Sequence, residues 1–175
     1  MLICHRSSAI YLISLSIAVV TLSVRAGTPV LTDPALKKVS KSVSLGRFKP
    51  AGLVPFQEVM VSERIVPDLK KLLTAAKKDG LTLKVVSGYR SYEKQEKIFD
   101  GWIAKEMKKN RLLTRAQAET LANTYSAKAG HSEHQLGTVV DVLSSENGFQ
   151  FSSDQRLRYV SWLEDHAASF NFTIS

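Results

Sequence analysis

The sequence predicts an α+β domain, with helices packed on a small, mainly antiparallel sheet. Three observations carry this expectation. Segments 81–87 and 137–143 alternate apolar and polar or are densely β-branched, as strands are. Between and around them lie stretches with apolar residues at helical spacing and helix-capping residues at their ends. The resulting order, αβααβαβ, is not a repeated βαβ pattern, which argues against a parallel doubly wound sheet. A length of 175 residues allows one ordinary domain.

Residues 1–26 are expected to stand outside that domain. Arg6 precedes an apolar run from Ala9 to Val24, too short for a comfortable membrane span, and Val24-Arg25-Ala26 places small residues where a signal peptidase reads. The segment reads as a signal peptide cleaved after Ala26, with an uncleaved membrane anchor as the competing reading. Cleavage removes Cys4, the only cysteine, so the mature chain is expected to have no disulfide, thiol nucleophile or cysteine zinc site. Two arginines and no acids leave with the signal, so the net charge falls from +8 to +6, and a basic exported protein suits an anionic partner such as a cell wall or membrane surface. No basic run with interleaved aromatics supports nucleic-acid binding. Export to the periplasm or cell envelope follows from the signal, with no membrane contact beyond it.

Residues 27–50 are rich in Ser, Thr, Pro and Lys without periodicity and read as a linker or extended arm. The domain is expected over 51–175. In "VPDLKKLLTAAKKDG", Pro67 suits a first helical turn and Gly80 the position just past the end, while Ile65, Leu69, Leu72, Leu73 and Ala76 share one face. The strand 81–87 follows and breaks at Gly88. Ser91 caps a helix to about Lys108, with Ile98, Phe99, Trp102, Ile103 and Met107 as its apolar side. Thr114 and Gln117 have capping-box spacing and open a helix ending near Asn123. A loop, "AKAGHSE", leads to the second strand, 137–143. Ser152 and Gln155 again have capping-box spacing, and Val160, Leu163, Ala167 and Phe170 form the face of a last helix. "FNFTIS" begins a third strand.

Two clusters carry chemistry. Asp141 lies among Val139, Val140, Val142 and Leu143, where a carboxylate is costly to bury unless it is paired or bound to metal. His134, seven residues upstream, could share a metal with it. The alternatives are that Asp141 caps a backbone group or pairs with an arginine such as Arg90. The second cluster, "SGYRSYEKQ" at 87–95, offers Arg90 as a planar fork of donors for a carboxylate or developing oxyanion. Ser91 also reads as a simple cap and Tyr89 as core; Gln95 lies one turn on from Ser91.

Together, "SGYRSYEKQ" and "SEHQLGTVVDV" resemble the VanY-type zinc D-alanyl-D-alanine carboxypeptidases and their L,D-carboxypeptidase relatives. "LLTAAKKDGLTLKVVSGYRS" and "VSWLEDHAASFNF" extend the resemblance over about residues 55–175. It implies an exported, monomeric enzyme whose sheet carries Zn2+ and which removes a C-terminal D-alanine from peptidoglycan stem peptides. It implies that His134 and Asp141, in the S-x-H-x-x-G-x-x-x-D motif, are zinc ligands. Arg90 corresponds to the residue that grips substrate and steadies the transition state. Tyr89, Ser91, Gln95, Ser132 and Gln135 match pocket positions. The resemblance also implies a general-base glutamate and a third zinc ligand in a later Glu-Pro-Trp-His-like motif, on a strand after the one begun by "FNFTIS". No Glu-x-x-His occurs in residues 27–175, so the domain is expected to be C-terminally incomplete and either inactive or limited to peptide binding. His131, or His166 with Glu164 beside it, are the replacement candidates.

Overall fold

The computed structural model describes residues 20–24, 39–144 and 153–174. It is α+β. A four-stranded sheet has the order β4-β5-β1-β6, formed by Leu83–Ser87, Val139–Ser144, Val20–Val24 and Phe172–Ile174, and every pairing in it is antiparallel. A separate hairpin joins β2 (Leu53–Phe56) to β3 (Val59–Ser62). The helices are α1 (Val66–Lys78), α2 (Tyr92–Lys109), α3 (Arg115–Tyr125) and α4 (Ser153–His166).

The helix boundaries follow from local chemistry. Pro67 lies in the first turn of α1, where a missing N–H costs nothing. At the other end Gly80 takes φ +77°, the N–H of Leu81 donates to the carbonyl of Ala76 at 2.8 Å, and that of Gly80 to Lys77 at 3.1 Å. This left-handed closure satisfies two carbonyls that the helix leaves open. Ser91 Oγ caps α2 through the N–H of Lys94, and Thr114 with Gln117 makes a reciprocal capping box on α3. The capping expected from Ser152 lies outside the described residues.

Two apolar clusters hold the elements. The main one packs the α1 face (Leu69, Leu72, Ala76) and the α4 face (Tyr159, Leu163) on sheet residues including Leu22, Val85, Val140 and Val142. Complete burial of a leucine such as Leu22 contributes roughly 1.5–3 kcal/mol. The second cluster closes α2 on α3 through Phe99, Ile103, Ala118 and Ala122. The apolar side expected for α2 needs one correction. Met107 is exposed, and Glu106 is buried beside it, its carboxylate accepting from Lys109 Nζ at 2.5 Å and from the Tyr125 hydroxyl at 3.0 Å. The paired charge makes that burial tolerable.

Two elements go beyond the sequence expectation. The β2–β3 hairpin fills residues that had no assignment. Strand β1 lies inside the segment read as a signal peptide, between β5 and β6, with Leu22 fully buried. Cleavage after Ala26 would take this strand away. Residues 39–50 form a packed arm: Val39 and Pro50 are buried, and the N–H of Leu45 donates to Gly130 at 2.7 Å. Among the described residues no helix is long and apolar enough to cross a membrane.

Candidate active site

Strand β5 is buried along its whole length, but its two faces differ. Val140 and Val142 point into the main core, while Val139 and Asp141 line a cleft of about 1130 Å³. The alternation of a strand thus sets one carboxylate against the cavity. On the neighbouring strand, Val85 pairs with Val142 but Ser87 pairs with Asp141, so β4 carries one extra residue, Val86. Such a bulge re-aims the residues beyond it. It sets Ser87 beside Asp141 and leads the chain into Gly88, Tyr89 and Arg90.

Gly88 is needed for room. A Cβ there would lie 2.4 Å from the carbonyl oxygen of Met60. Hairpin strand β3 therefore leans directly on this turn, and Met60 accepts from the N–H of Tyr89 at 2.7 Å. The Gly88 carbonyl in turn faces Nδ1 of His134 at 2.8 Å. A carbonyl only accepts, so Nδ1 carries the proton and Nε2 is turned the other way. Nε2 lies 3.3 Å from Oδ1 of Asp141. Both groups are buried, each 7 % exposed.

Arg90 completes the cluster. One terminal nitrogen donates to Asp141 Oδ2 at 2.6 Å and Nε donates to Ser87 Oγ at 3.0 Å. The alternative partner weighed for Asp141 is thus present together with His134, one on each carboxylate oxygen. Burial pulls the Arg90 guanidinium below its ordinary value and the Asp141 charge opposes this; the group stays cationic. Burial, and then the charge of Glu93, push the Tyr89 phenol up.

The remaining expected pocket residues divide. Tyr89, Gln95 and Ser132 line the cleft with Arg90, His134 and Asp141. Ser91 faces the start of α2 as its cap. Gln135 is fully buried, and its amide donates to the carbonyls of Gly46 and Phe48 at 2.7 and 2.9 Å, pinning the arm. Gln95 Nε2 donates to the Ala127 carbonyl at 2.6 Å and so joins two walls of the cleft.

The donor set fits a cation. Two ligands of a tetrahedral zinc with bonds of about 2.0–2.1 Å are separated by about 3.3 Å, the spacing seen between Nε2 and Oδ1. A neutral imidazole whose proton is on Nδ1 sets a lone pair against a carboxylate, an arrangement that a proton or metal between them relieves. A ring N–H on a backbone carbonyl is also the usual support of a histidine ligand. No group of three His, Cys, Asp or Glu suited to a metal occurs among the described residues. His131 lines the cleft, with Nδ1 2.9 Å from the Ser40 carbonyl. His166 is stacked on Trp162, with ring centroids 4.4 Å apart, and Glu164 lines a separate depression beside β6.

Residues 58–175 match the VanY family, described as D-alanyl-D-alanine carboxypeptidase. The chain belongs to the VanY family. Among VanY-like relatives, a D-alanyl-D-alanine carboxypeptidase of Enterococcus faecalis (strain ATCC 700802 / V583) is 39% identical over 109 residues, covering 62% of this chain and 38% of that protein. The chain therefore spans well under two thirds of that relative's length. The vancomycin resistance D,D-pentapeptidase VanY of a VanB-type cassette, solved with Zn(II), superimposes with a TM-score of 0.64 at 33% identity, covering 78% of this chain and 73% of that one. VanYB solved with D-alanine-D-alanine gives a TM-score of 0.66 at 32% identity, with 79% and 73% covered.

Proposed function

We propose that this VanY-family chain is a zinc-dependent carboxypeptidase unit of the bacterial envelope that acts on the C-terminal D-alanine of peptidoglycan stem peptides. The observation that carries the reading is the 3.3 Å approach of His134 Nε2 to Asp141 Oδ1 beside the Arg90 fork. Zinc would be held by those two atoms and would supply Lewis-acid polarisation of the scissile carbonyl together with a more acidic water. The Gly88 carbonyl keeps the His134 proton on Nδ1 and so keeps Nε2 available as a ligand. Arg90 uses two of its five donors on Ser87 and Asp141; those that remain can hold the substrate carboxylate or the charge that develops on its carbonyl. Tyr89 and Ser132 shape the same cleft. Ser91 and Gln135 act one layer out, through the helix cap and the arm.

A second reading, peptide binding without turnover, is favoured by one observation: no third metal ligand joins His134 and Asp141 among the described residues. Two ligands hold zinc weakly, and loss of a general base costs on the order of 10² to 10⁴ in rate. Zinc titration with measurement of D-alanine release from a stem pentapeptide, on the purified chain, separates the two. Ordinary turnover supports the first reading, and binding without release supports the second. Neither zinc nor peptide binding would remove both.

Export through residues 1–26 is part of the proposal. It is supported by the leader-like pattern of Arg6, the apolar run and Val24-Arg25-Ala26. N-terminal sequencing of the envelope fraction should find Gly27 first; an intact Met1 on a soluble cytoplasmic protein would overturn it.

A further inference from the structure

The C-terminal end of α2 carries a concentration of charge that the proposed function does not use. Residues 105–113, "KEMKKNRLL", hold four cations, Lys105, Lys108, Lys109 and Arg111, against one carboxylate, a net +3. That carboxylate, Glu106, is buried and engaged by Lys109 Nζ at 2.5 Å and by the Tyr125 hydroxyl at 3.0 Å. The next acids along the chain on either side, Asp100 and Glu119, are held by Arg115 and Lys128. Lys105, Lys108 and Arg111 are exposed, and none of them forms a salt bridge among the described residues. Lys105 instead lies over the Trp102 ring, 4.5 Å from its centroid, where it keeps its charge.

Apolar side chains stand among these cations. Leu112 is 91% exposed and Met107 is 37% exposed. The turn that presents Leu112 is built. The N–H of Asn110 donates to the Glu106 carbonyl at 3.0 Å, Asn110 Oδ1 accepts from the N–H of Leu112 at 3.0 Å, and the Asn110 carbonyl accepts from the N–H of Leu113 at 3.2 Å. Leu113 packs inward on the α2–α3 cluster, while its neighbour Leu112 is left in water. A side chain on a turn already fixed loses little backbone entropy when it meets a surface. An apolar side chain ringed by cations complements a bilayer interface, where headgroups take the charge and the acyl boundary takes the leucine. A soluble polyanion would meet the charge and leave Leu112 exposed.

We propose that this end of the molecule docks on an anionic lipid surface, with Leu112 entering the interface and Lys105, Lys108 and Arg111 on the headgroups. It adds a membrane contact where the sequence expectation confined any such contact to the leader. Helix α2 has 18 residues and so runs for about 27 Å, and Arg90 lies just ahead of its first turn. The reaction centre is therefore at the opposite end of the helix from the docked turn, clear of the lipid. The inference stands independently of the carboxypeptidase reading.

Co-sedimentation of the full chain with lipid vesicles tests it. One set is phosphatidylcholine alone, and the other is phosphatidylcholine and phosphatidylglycerol in equal parts. The chain should prefer the anionic set, and added salt should weaken that preference. Lys108→Gln with Arg111→Gln should lower binding to the anionic vesicles by about 25-fold, at about fivefold per cation. Leu112→Asn, at a side chain almost wholly in water, should lower it by roughly tenfold without changing the thermal melt. Lys77→Gln with Lys78→Gln removes the same charge from the last turn of α1 and should leave vesicle binding unchanged. Equal or absent binding to the two vesicle sets would overturn the proposal, as would an equal loss in the α1 control. A Leu112→Asn chain that binds as tightly as the unaltered one would overturn it in favour of a polyanionic polymer. None of these readouts involves zinc or peptide, so failure here leaves the functional reading standing.

Discussion

His134 Nε2 and Asp141 Oδ1 face each other at 3.3 Å, with the other ring nitrogen on a backbone carbonyl and the other carboxylate oxygen on Arg90. Each half of the pair is oriented by a separate partner, which makes their roles separable by mutation. His134→Ala or Asp141→Ala should abolish the zinc binding of the unaltered chain, read by zinc titration of both. Arg90→Ala should leave zinc binding in place and weaken peptide binding, by about 2–5 kcal/mol if the contact is a desolvated charge pair. An Arg90→Ala chain that binds peptide as tightly as the unaltered one would exclude a substrate role for Arg90.

Gly88→Ala tests how closely the hairpin supports the metal pair. The new methyl would meet Met60 O at 2.4 Å, and a backbone oxygen gives way only by moving β3 or the turn. Overpacking of this kind costs about 1–3 kcal/mol. Because the Gly88 carbonyl orients His134, zinc affinity should fall by about 10- to 100-fold as well. Thermal melts and zinc titration of the same sample check the two effects.

Gln135→Ala should release the arm. It removes two hydrogen bonds, to Gly46 and Phe48, worth about 1 kcal/mol each. The loss is partly offset because the buried Gln135 carbonyl oxygen has no hydrogen-bond partner among the described residues. The net expectation is about 1–2 kcal/mol in denaturant unfolding, with faster amide exchange concentrated in residues 45–48.

Acid should loosen the packing of α1 on the segment after α4. The Asn171 amide donates to Asp68 Oδ2 at 2.9 Å, and this bond, then Lys71, hold the Asp68 carboxyl below its ordinary value. A depressed folded-state pKa contributes stability that is present above the unfolded value of 3.8 and is lost as pH falls through the folded one. Asp68→Asn should therefore flatten the stability profile below about pH 4, measured by urea midpoints across pH.

What could be read from the sequence was whatever is encoded locally. Caps such as Ser91 and Thr114, the stop at Gly80 and the α1 stripe each depend on residues within a turn or two, and α1, α2 and α3 begin within a residue or two of where they announce. His134, Asp141 and Arg90 could be brought together because each lies at or near a strand end. The β2–β3 hairpin could not. Its turn is Gln57-Glu58, with Gln57 at φ +50°, a conformation usually advertised by Gly, Asn or Asp. Gln57 Oε1 accepts from the N–H of Val85, a partner 28 residues away that no local pattern shows. The anchoring role of Gln135 was hidden for the same reason, since its partners precede it by nearly 90 residues.

Strand β1 joins the two extremes of the sequence. Ser23 Oγ meets Thr173 Oγ1 across 150 residues, and β5 lies on its other side. On a ribosome, Val20–Val24 emerges long before either neighbour has been made. Its pairing must be among the last to form, since closing so large a loop is slow. Throughout that interval the segment is free to be captured by whatever meets it first. If residues 1–26 act as the leader proposed above, those five residues end as leader or as a rib of the sheet according to whether an export receptor or the remaining chain reaches them first. Slowing translation ahead of Val139 should favour the receptor.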